Sequence, residues 1–205
     1  CECGEEADGT RVPLEKILAV AGSSGMCGAA FLSASGAFAT GAGMVKIVTP
    51  EENRIPLQTM LPEAMISCTG DLEKDFDWCD VLVIGPGLGT DGVAESECSG
   101  FENGRQRKSC SRRCGRLNLL AEHPEWQEFI NENTILTPHM GEMSRLTGSS
   151  ISHLKEDPAA AAFEFADRSG GACVLKDACT VIADQEEHLY FNLSGNSGMA
   201  TAGSG

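Results

Sequence analysis

The sequence predicts an α/β domain with a mainly parallel central sheet, and two stretches carry that prediction. Residues 17–21 (ILAVA) are apolar and open directly onto the glycine turn 22–25 (GSSG), after which small residues predict a helix. Residues 80–84 (DVLVI) form another predicted strand, apolar after Asp80, which leads straight into the glycine turn 85–89 (GPGLG). A strand that passes through a glycine turn into a helix is the βα unit of a parallel sheet, and helices on both faces make its strands continuously apolar. The 205 residues are enough for one such domain.

The first part of the predicted domain contains one helix and three strands. The folded part starts at Ile17, and the helix covers about residues 28–40. Its Ala, Gly and Ser residues either let it pack closely on the sheet or let a ligand approach, and both interpretations stay open. Met44–Val48 is the second predicted strand, and Leu61–Met65 predicts a third, short one.

The middle of the chain predicts a histidine at a strand end. Apolar spacing predicts a helix over Leu117–Trp126, and residues 134–136 predict a short strand that Pro138 ends. His139 then lies at the carboxyl end of this strand, which is the edge at which open α/β sheets bind ligands. We therefore interpret His139 as a ligand contact rather than as an ordinary surface or core histidine. A further helix is predicted over 142–146.

The last third of the chain predicts a lysine at a strand end. Residues 158–168 are Ala-rich and helical, and the strand 171–175 delivers Lys176, a cation suited to phosphate. Two more strands are predicted, one just beyond Thr180 and one around Tyr190.

A glycine-rich loop closes the sequence. Residues 195–205 read GNSGMATAGSG, with four glycines and three hydroxyl side chains. Such a segment is either flexible or presents its backbone N–H groups to an anion such as phosphate. Five predicted strand ends thus carry glycine, histidine or lysine, which favours ligand binding for the set.

Composition excludes some classes of function. The net charge of -15 argues against nucleic-acid binding, which needs a basic surface. No apolar run reaches the length of a membrane span and no signal sequence precedes the first strand, so we expect a cytoplasmic protein without a membrane partner. The ten cysteines are scattered through the chain, and free thiols are expected.

Residues 98–116 differ from the rest of the chain. They read CSGFENGRQRKSCSRRCGR and hold six of the fifteen Lys and Arg residues and three of the ten cysteines. This anomalous tract could be a basic exposed loop, a tract outside the fold, or a zinc cluster that uses Cys98, Cys110, Cys114 and His123. Zinc sites normally show close ligand pairs such as C-x2-C, so we rank the zinc interpretation last.

Seven motifs in sequence order resemble one protein family. They lie in residues 16–97 and 117–205 and read GSSGMCGAA, LPEAM, VIGPGLG, LNLLAEHP, ILTPHMGEMSRLTG, VLKDACTVIA and GNSGMATAGSG. The chain resembles the ADP- or ATP-dependent NAD(P)H-hydrate dehydratases, a branch of the ribokinase-like superfamily. The resemblance implies a three-layer α/β/α fold with a mainly parallel central sheet. It also implies repair of nicotinamide cofactors, in which the hydrated forms NADHX and NADPHX return to NADH and NADPH while ADP or ATP is consumed with Mg²⁺.

The resemblance carries site residues over motif by motif. It implies that Ala29, Gly87 and His139 contact the hydrated cofactor. Glu142 would hold Mg²⁺ through water, so no side chain is expected as a direct metal ligand. The expected partner is the small-molecule substrate, bound by a homo-oligomer. The nucleotide's AMP part would be bound by Lys176, Asp177, Ala178, Cys179, Thr180 and Gly205.

Three departures from the family's pattern bear on activity. The family has an Asp after GSG as the expected catalytic base, whereas the sequence stops at Gly205, so we expect no catalytic residue within it and a domain incomplete at its C-terminus. Residues 98–116 stand where the family has an apolar strand ending in Asp-Ala-Asp-Gly, and they resemble a reading-frame error, as do residues 1–14. Asp177 replaces the family's usual glycine and adds negative charge beside the nucleotide. We therefore expect weak nucleotide binding and little or no turnover of NADHX.

Two other functions stay open at this point. One is a ribokinase-like kinase for a vitamin precursor such as a hydroxyethylthiazole, against which the TPHMGE and GSSGMCGAA motifs argue. The other is an inactive nucleotide-binding fragment or assembly subunit, which the missing Asp and the disrupted strand favour.

Overall fold

The strands form one sheet. The computed structural model describes residues 15–68, 72–89, 111–114, 117–123, 127 and 130–194. The strands in this part of the chain are β1 Lys16–Val20, β2 Met44–Val48, β3 Met65–Ser67, β4 Val81–Ile84, β5 Ser111–Cys114, β6 Thr134–Leu136, β7 Ala172–Leu175, β8 Thr180–Ala183 and β9 Leu189–Asn192. They lie in the order β3-β2-β1-β4-β5-β6-β7-β8-β9. All neighbours from β3 to β7 are parallel, and β8 is antiparallel to both β7 and β9. The prediction of a mainly parallel sheet is confirmed.

Side-chain caps begin the last three helices in the described part of the chain. The structure contains α1 Cys27–Ala39, a short 3-10 helix Glu51–Asn53, α2 Arg54–Met60, α3 Leu72–Trp78, α4 Leu117–Glu122, α5 Met140–Thr147, α6 Ile151–Glu156 and α7 Pro158–Ser169. In α7, Pro158 occupies the first turn, Asp157 accepts a hydrogen bond from the Ala160 N–H at 2.9 Å, and Gly170 ends the helix with φ +79°. None of the described helices is long and apolar enough to cross a membrane.

Helices pack on both faces of the sheet. Alternate residues of β1 point to opposite faces, so Leu18 packs in a cluster with Leu72 of α3, whereas Ala19 packs in a cluster with Ala30 and Ala34 of α1. The small residues of α1 therefore serve close packing on the sheet, one of the two interpretations above. The three-layer α/β/α architecture is confirmed.

The third strand lies later in the chain than the sequence predicted. Leu61–Met65 is not a strand, because residues 61–64 form a turn in which the Ala64 N–H donates to the Leu61 carbonyl at 3.1 Å. Only Met65 belongs to the strand that follows, β3, which pairs with β2 at the edge of the sheet. The prediction failed because LPEAM is apolar enough for a strand while Pro62 favours a turn.

Part of the anomalous tract belongs to the sheet. Residues 111–114 (SRRC) form β5, which pairs in parallel with β4 on one side and β6 on the other. The interpretation that the tract lies outside the fold is therefore wrong for these four residues. The hydrogen bonds between strands join backbone groups. A segment between two neighbouring strands can therefore form a strand even when its own strand propensity is low. Residues 1–14, 98–110, 115–116 and 195–205 lie outside the described part, and so do Cys98 and Cys110 of the zinc interpretation.

Candidate active site

Loops from several strands meet at one edge of the sheet, here called the rim. It contains the segments 22–25 after β1, 85–89 after β4, 137–139 after β6 and 176–179 after β7. Because two antiparallel steps separate β7 from β9, the carboxyl end of β9 faces the same edge. The carboxyl ends of strands in open α/β sheets are where ligands bind, so the rim is the candidate site.

The first two glycine turns are joined by backbone hydrogen bonds. The Gly22 N–H donates to the Pro86 carbonyl at 2.8 Å, and the Ser23 N–H donates to the Gly87 carbonyl at 2.6 Å. Gly87 has φ +67°, and a Cβ at this position would lie 2.7 Å from the Cβ of Ala29. The structure therefore brings the predicted substrate contacts Ala29 and Gly87 together, and their contact leaves no room for a side chain at position 87.

His139 is held as the N-cap of α5. Its Nδ1 accepts hydrogen bonds from the N–H groups of Gly141 at 3.0 Å and Glu142 at 3.2 Å, while the Glu142 carboxylate accepts from the His139 N–H at 2.8 Å. This reciprocal pattern is a capping box. Because Nδ1 accepts, the neutral ring carries its proton on Nε2, which lies 3.6 Å from Glu142. The imidazole is 54% exposed, so it can offer this N–H to a ligand.

Lys176 lies directly beside His139. The two residues form a parallel bridge, and the Lys176 N–H donates to the Pro138 carbonyl at 2.7 Å. Thr180 begins β8 and pairs with Asn192 of β9, so the chain leaves β9 toward the glycine loop beside the predicted nucleotide residues. The predicted set 176–180 is thus one hairpin at the rim, whereas Gly205 lies outside the described residues.

The rim has a substrate half, with Ala29 and Gly87, and a nucleotide half, with residues 176–180 beside His139. The two halves are about two strands apart. Gly87 follows β4 and His139 follows β6, with only β5 between them. At roughly 4.8 Å between neighbouring strands, the two strand ends lie about 10 Å apart. The predicted ligand-binding residues are far apart in the sequence, but they share one edge of the sheet.

Charge at the nucleotide half is set by two lysines and one carboxylate. Asp177 Oδ2 lies 3.5 Å from Lys155 Nζ, which reaches the rim from the last turn of α6. Asp177 therefore does not present an uncompensated charge, and this finding weakens the expectation that it opposes the nucleotide. Within the described residues Lys176 makes no ion pair, so its ammonium is available to an anion.

Sequence reasoning missed three polar residues at this edge. Thr49 and Asn53 are each 3% exposed and contact the first glycine turn, and Lys155 pairs with Asp177. The position of Thr49 at the rim could have been predicted, because this hydroxyl residue directly follows the second predicted strand. Nothing in the spacing of Asn53 or Lys155 indicated their positions, because each reaches the rim from a helix.

The cavity among the outer helices does not coincide with the rim. Its volume is about 250 Å³, and α5, α6 and α7 enclose it. None of the predicted site residues lines it. Three carboxylates face it, those of Glu156, Asp157 and Glu164, together with the single guanidinium of Arg168. This acidic lining is unsuited to phosphates, so we assign the site to the rim.

The described cysteines bear out the expectation of thiols. Cys27, Cys68, Cys79, Cys173 and Cys179 form no disulfide. Burial raises the pKa of Cys173 to about 12. Burial, with a smaller contribution from the hydrogen bond to Glu51, also raises the pKa of Cys68. Neither thiol is activated as a nucleophile.

Metal ligation in the described part of the chain is limited. No group of three or more His, Cys, Asp or Glu side chains there could hold a metal ion. Glu142 is engaged in the capping box of α5, with one carboxylate oxygen on the His139 N–H. These residues therefore offer no cage of direct ligands, although the second oxygen of Glu142 could contact a hydrated ion.

Comparisons with known proteins identify the family of the chain. A family model described as NAD(P)H-hydrate dehydratase matches residues 17–205. The bifunctional NAD(P)H-hydrate repair enzyme of Escherichia coli is 37% identical over 192 residues, which are 93% of this chain and 36% of that protein. The ADP/ATP-dependent NAD(P)H-hydrate dehydratase from Bacillus subtilis, co-crystallized with ATP/Mg²⁺ and soaked with CoA, has a TM-score of 0.75 and 29% identity, covering 94% of this chain and 70% of that one. A ribokinase-like superfamily protein from Enterococcus faecalis has a TM-score of 0.77 and 26% identity, covering 92% and 66%.

The extent of these matches decides what they establish. The chain spans little more than a third of the length of the bifunctional relative, so that protein's full activity does not transfer to it directly. The family model, however, extends from β1 to the end of the sequence and includes both halves of the rim. The chain belongs to the NAD(P)H-hydrate dehydratase family.

Proposed function

We propose that this chain carries out the nucleotide-dependent dehydration of hydrated nicotinamide cofactors, NADHX or NADPHX, to NADH or NADPH. The observation that carries the proposal is the pairing of His139 with Lys176 at the rim, about two strands from Gly87. This arrangement supports a dinucleotide whose ring meets a phosphate donor between the two halves. The family membership of residues 17–205 supports the same reaction.

The chemistry needs positioning and charge neutralisation more than a reactive side chain. Transfer of a phosphoryl group from ADP or ATP to the ring hydroxyl releases AMP or ADP and turns a poor leaving group into a phosphate ester. Phosphate then departs and the neighbouring ring carbon loses a proton as the ring double bond forms, with the family's Asp after GSG as the expected proton acceptor. Lys176 supplies a fixed cation for the phosphates, which a chain of net charge -15 must provide locally. His139 serves as a hydrogen-bond donor through Nε2–H, because its Nδ1 is engaged in the cap of α5.

Magnesium fits this site only through water and the nucleotide. Mg²⁺ keeps several waters and is commonly bound by substrate phosphates plus one or two carboxylates, and Glu142 is the carboxylate nearest to the His139 ring in the capping box. Bound Mg²⁺ would neutralise part of the phosphate charge. The chain's own contribution is to orient Glu142, whose side chain is 15% exposed.

The test follows NADH absorbance after NADHX is mixed with ADP or with ATP. The chain is assayed beside a version extended past Gly205 by the family's Asp, with residues 98–116 replaced by an apolar strand ending in Asp-Ala-Asp-Gly. We expect NADH to form clearly in the extended version. Lys176→Met in that version should abolish turnover, whereas Lys74→Met, on α3, which packs against β1 on one face of the sheet, should not.

Two outcomes would contradict the proposal. Phosphorylation of a hydroxyethylthiazole without action on NADHX would identify a vitamin-precursor kinase. Nucleotide binding without turnover in the extended version would identify an inactive binding subunit.

We also propose that the protein is a cytoplasmic homo-oligomer. Support comes from β9, the last strand of the described sheet, where the large apolar side chains of Leu189, Tyr190 and Phe191 are exposed, together with that of Leu193 just after it. Light scattering after size-exclusion chromatography should give a mass above 21.6 kDa. Cell fractionation tests the location, and a monomer or a membrane-associated protein would contradict this proposal.

A further inference from the structure

A buried polar pair lies beside the first glycine turn. Thr49, directly after β2, and Asn53, at the end of the 3-10 helix, are each only 3% exposed. Asn53 Nδ2 donates one hydrogen bond to the Thr49 hydroxyl at 2.9 Å and one to the Ser23 carbonyl at 3.1 Å. The Thr49 hydroxyl in turn lies 3.4 Å from the Gly22 carbonyl. Both amide protons of Asn53 are therefore used, which is what burial of such a group requires.

This pair holds the turn from one side while the second glycine turn holds it from the other. The N–H groups of Gly22 and Ser23 donate to the carbonyls of Pro86 and Gly87, and their own carbonyls face Thr49 and Asn53. The packing is also close, since a Cβ on Gly22 would lie 3.2 Å from the Thr49 hydroxyl and 3.3 Å from Asn53 Nδ2. The turn cannot shift toward β2 without overlap or a lost hydrogen bond.

We propose that Asn53, supported by Thr49, is a positioning residue for the substrate half of the rim. The two side chains fix the peptide groups of Gly22 and Ser23, which fix Gly87 against Ala29. This inference rests on the proposed function, because Ala29 and Gly87 are assigned there to the hydrated cofactor. The described nucleotide residues, 176–180, lie beyond β5 and form no hydrogen bond with Thr49 or Asn53, so we expect the effect to be confined to the cofactor.

Two threonines allow a matched test on the chain as it exists. Thr49 and Thr134 are both 3% exposed. Thr134, however, begins β6 at the amino end of the strand, opposite the rim, where its hydroxyl contacts Asn131. We expect Thr49→Val to weaken NADHX binding about tenfold, as loss of one buried hydrogen bond predicts. We expect Thr134→Val to lower stability without weakening binding. Thr49→Ser, which keeps the hydroxyl, should restore wild-type affinity.

Asn53→Asp tests the hydrogen bonds of Asn53 with Ser23 and Thr49, because the side chain keeps nearly the same shape. It places a carboxylate against the Ser23 carbonyl and the Thr49 hydroxyl, so it should weaken NADHX binding more than Thr49→Val while leaving ADP affinity unchanged. Equal NADHX affinity in Thr49→Val and wild type would overturn the inference. So would a parallel loss of ADP and NADHX affinity, which indicates general destabilisation.

Amide hydrogen exchange separates this inference from the proposed function. Thr49→Val should speed exchange in residues 22–25 and 85–89, and Thr134→Val should not. If wild-type protein fails to bind NADHX, the proposed function fails, and the positioning role is then decided by exchange alone. Unchanged exchange in Thr49→Val would overturn it.

Discussion

Substitution of Gly87 by alanine should disrupt the contact that joins the two glycine turns. Gly87 has φ +67°, and the new Cβ would lie 2.7 Å from the Ala29 Cβ and 3.2 Å from the Met26 carbonyl oxygen. The left-handed backbone costs a non-glycine residue about 1–2 kcal/mol. Overlap in a packed site adds about 1–3 kcal/mol, so the free energy of unfolding should fall by roughly 2–5 kcal/mol.

Gly25→Ala is the matched control. Gly25 has φ +79°, but a Cβ there would meet nothing within 4 Å, so only the backbone term of about 1–2 kcal/mol applies. The difference between the two variants isolates the overlap with Ala29. Ala29→Gly removes the Cβ atom that the new alanine side chain would overlap, at a cost of about 1 kcal/mol in helix propensity. It should therefore partly restore the stability lost in Gly87→Ala when the two are combined in a double variant.

Urea unfolding followed by tryptophan fluorescence measures wild type, the three single variants and the double variant. NADHX affinity should fall in Gly87→Ala and stay near wild type in Gly25→Ala. The reasoning is refuted if Gly87→Ala is no less stable than Gly25→Ala, or if Ala29→Gly adds its full cost to Gly87→Ala without any rescue.

Three further predictions follow from ion pairs and burial. Lys155→Met should raise the Kd for ADP about threefold and Asp177→Asn should lower it by a similar factor, because the pair balances charge beside the phosphates; equal shifts in one direction would contradict this. The hydrogen bond that His188 donates to the Asp184 carboxylate raises the pKa of His188, so its stabilisation is present below about pH 6.5 and is lost as pH rises through the raised pKa. His188→Gln should therefore lower the urea midpoint more at about pH 5.5 than at about pH 8.5, and the opposite order would count against the pair. Cys173, with its pKa raised to about 12, should resist iodoacetamide until the chain unfolds, as peptide mass mapping can establish.

Local features of the rim were predictable from the sequence. Pro138 ends β6, which placed His139 at a strand end, and the apolar run before Lys176 did the same for the lysine. The structure confirmed both positions. The structure also showed that the N–H groups of Gly141 and Glu142 hold the imidazole. The sequence could not predict this contact, because a capping box depends on which rotamer the histidine adopts.

Other features depended on distant parts of the chain. The short strand β5 was not predicted, since SRRC has neither apolar character nor period, and only the open place between β4 and β6 gives it a strand's hydrogen bonds. Asn53 was missed for a related reason. Its contact with Ser23 spans thirty residues and has no local signature.

The sequence by itself determined the class of fold, the family and the residue types at each strand end, because apolar runs and glycine turns act within a few residues of where they stand. Only the tertiary structure decided which strand ends are neighbours. That order comes from helices packing on the two faces of the sheet, which brought Lys176 beside His139 and Ala29 against Gly87. It also decided the electrostatics of the rim, because the pairing of Asp177 with Lys155 requires α6 to end beside the hairpin after β7.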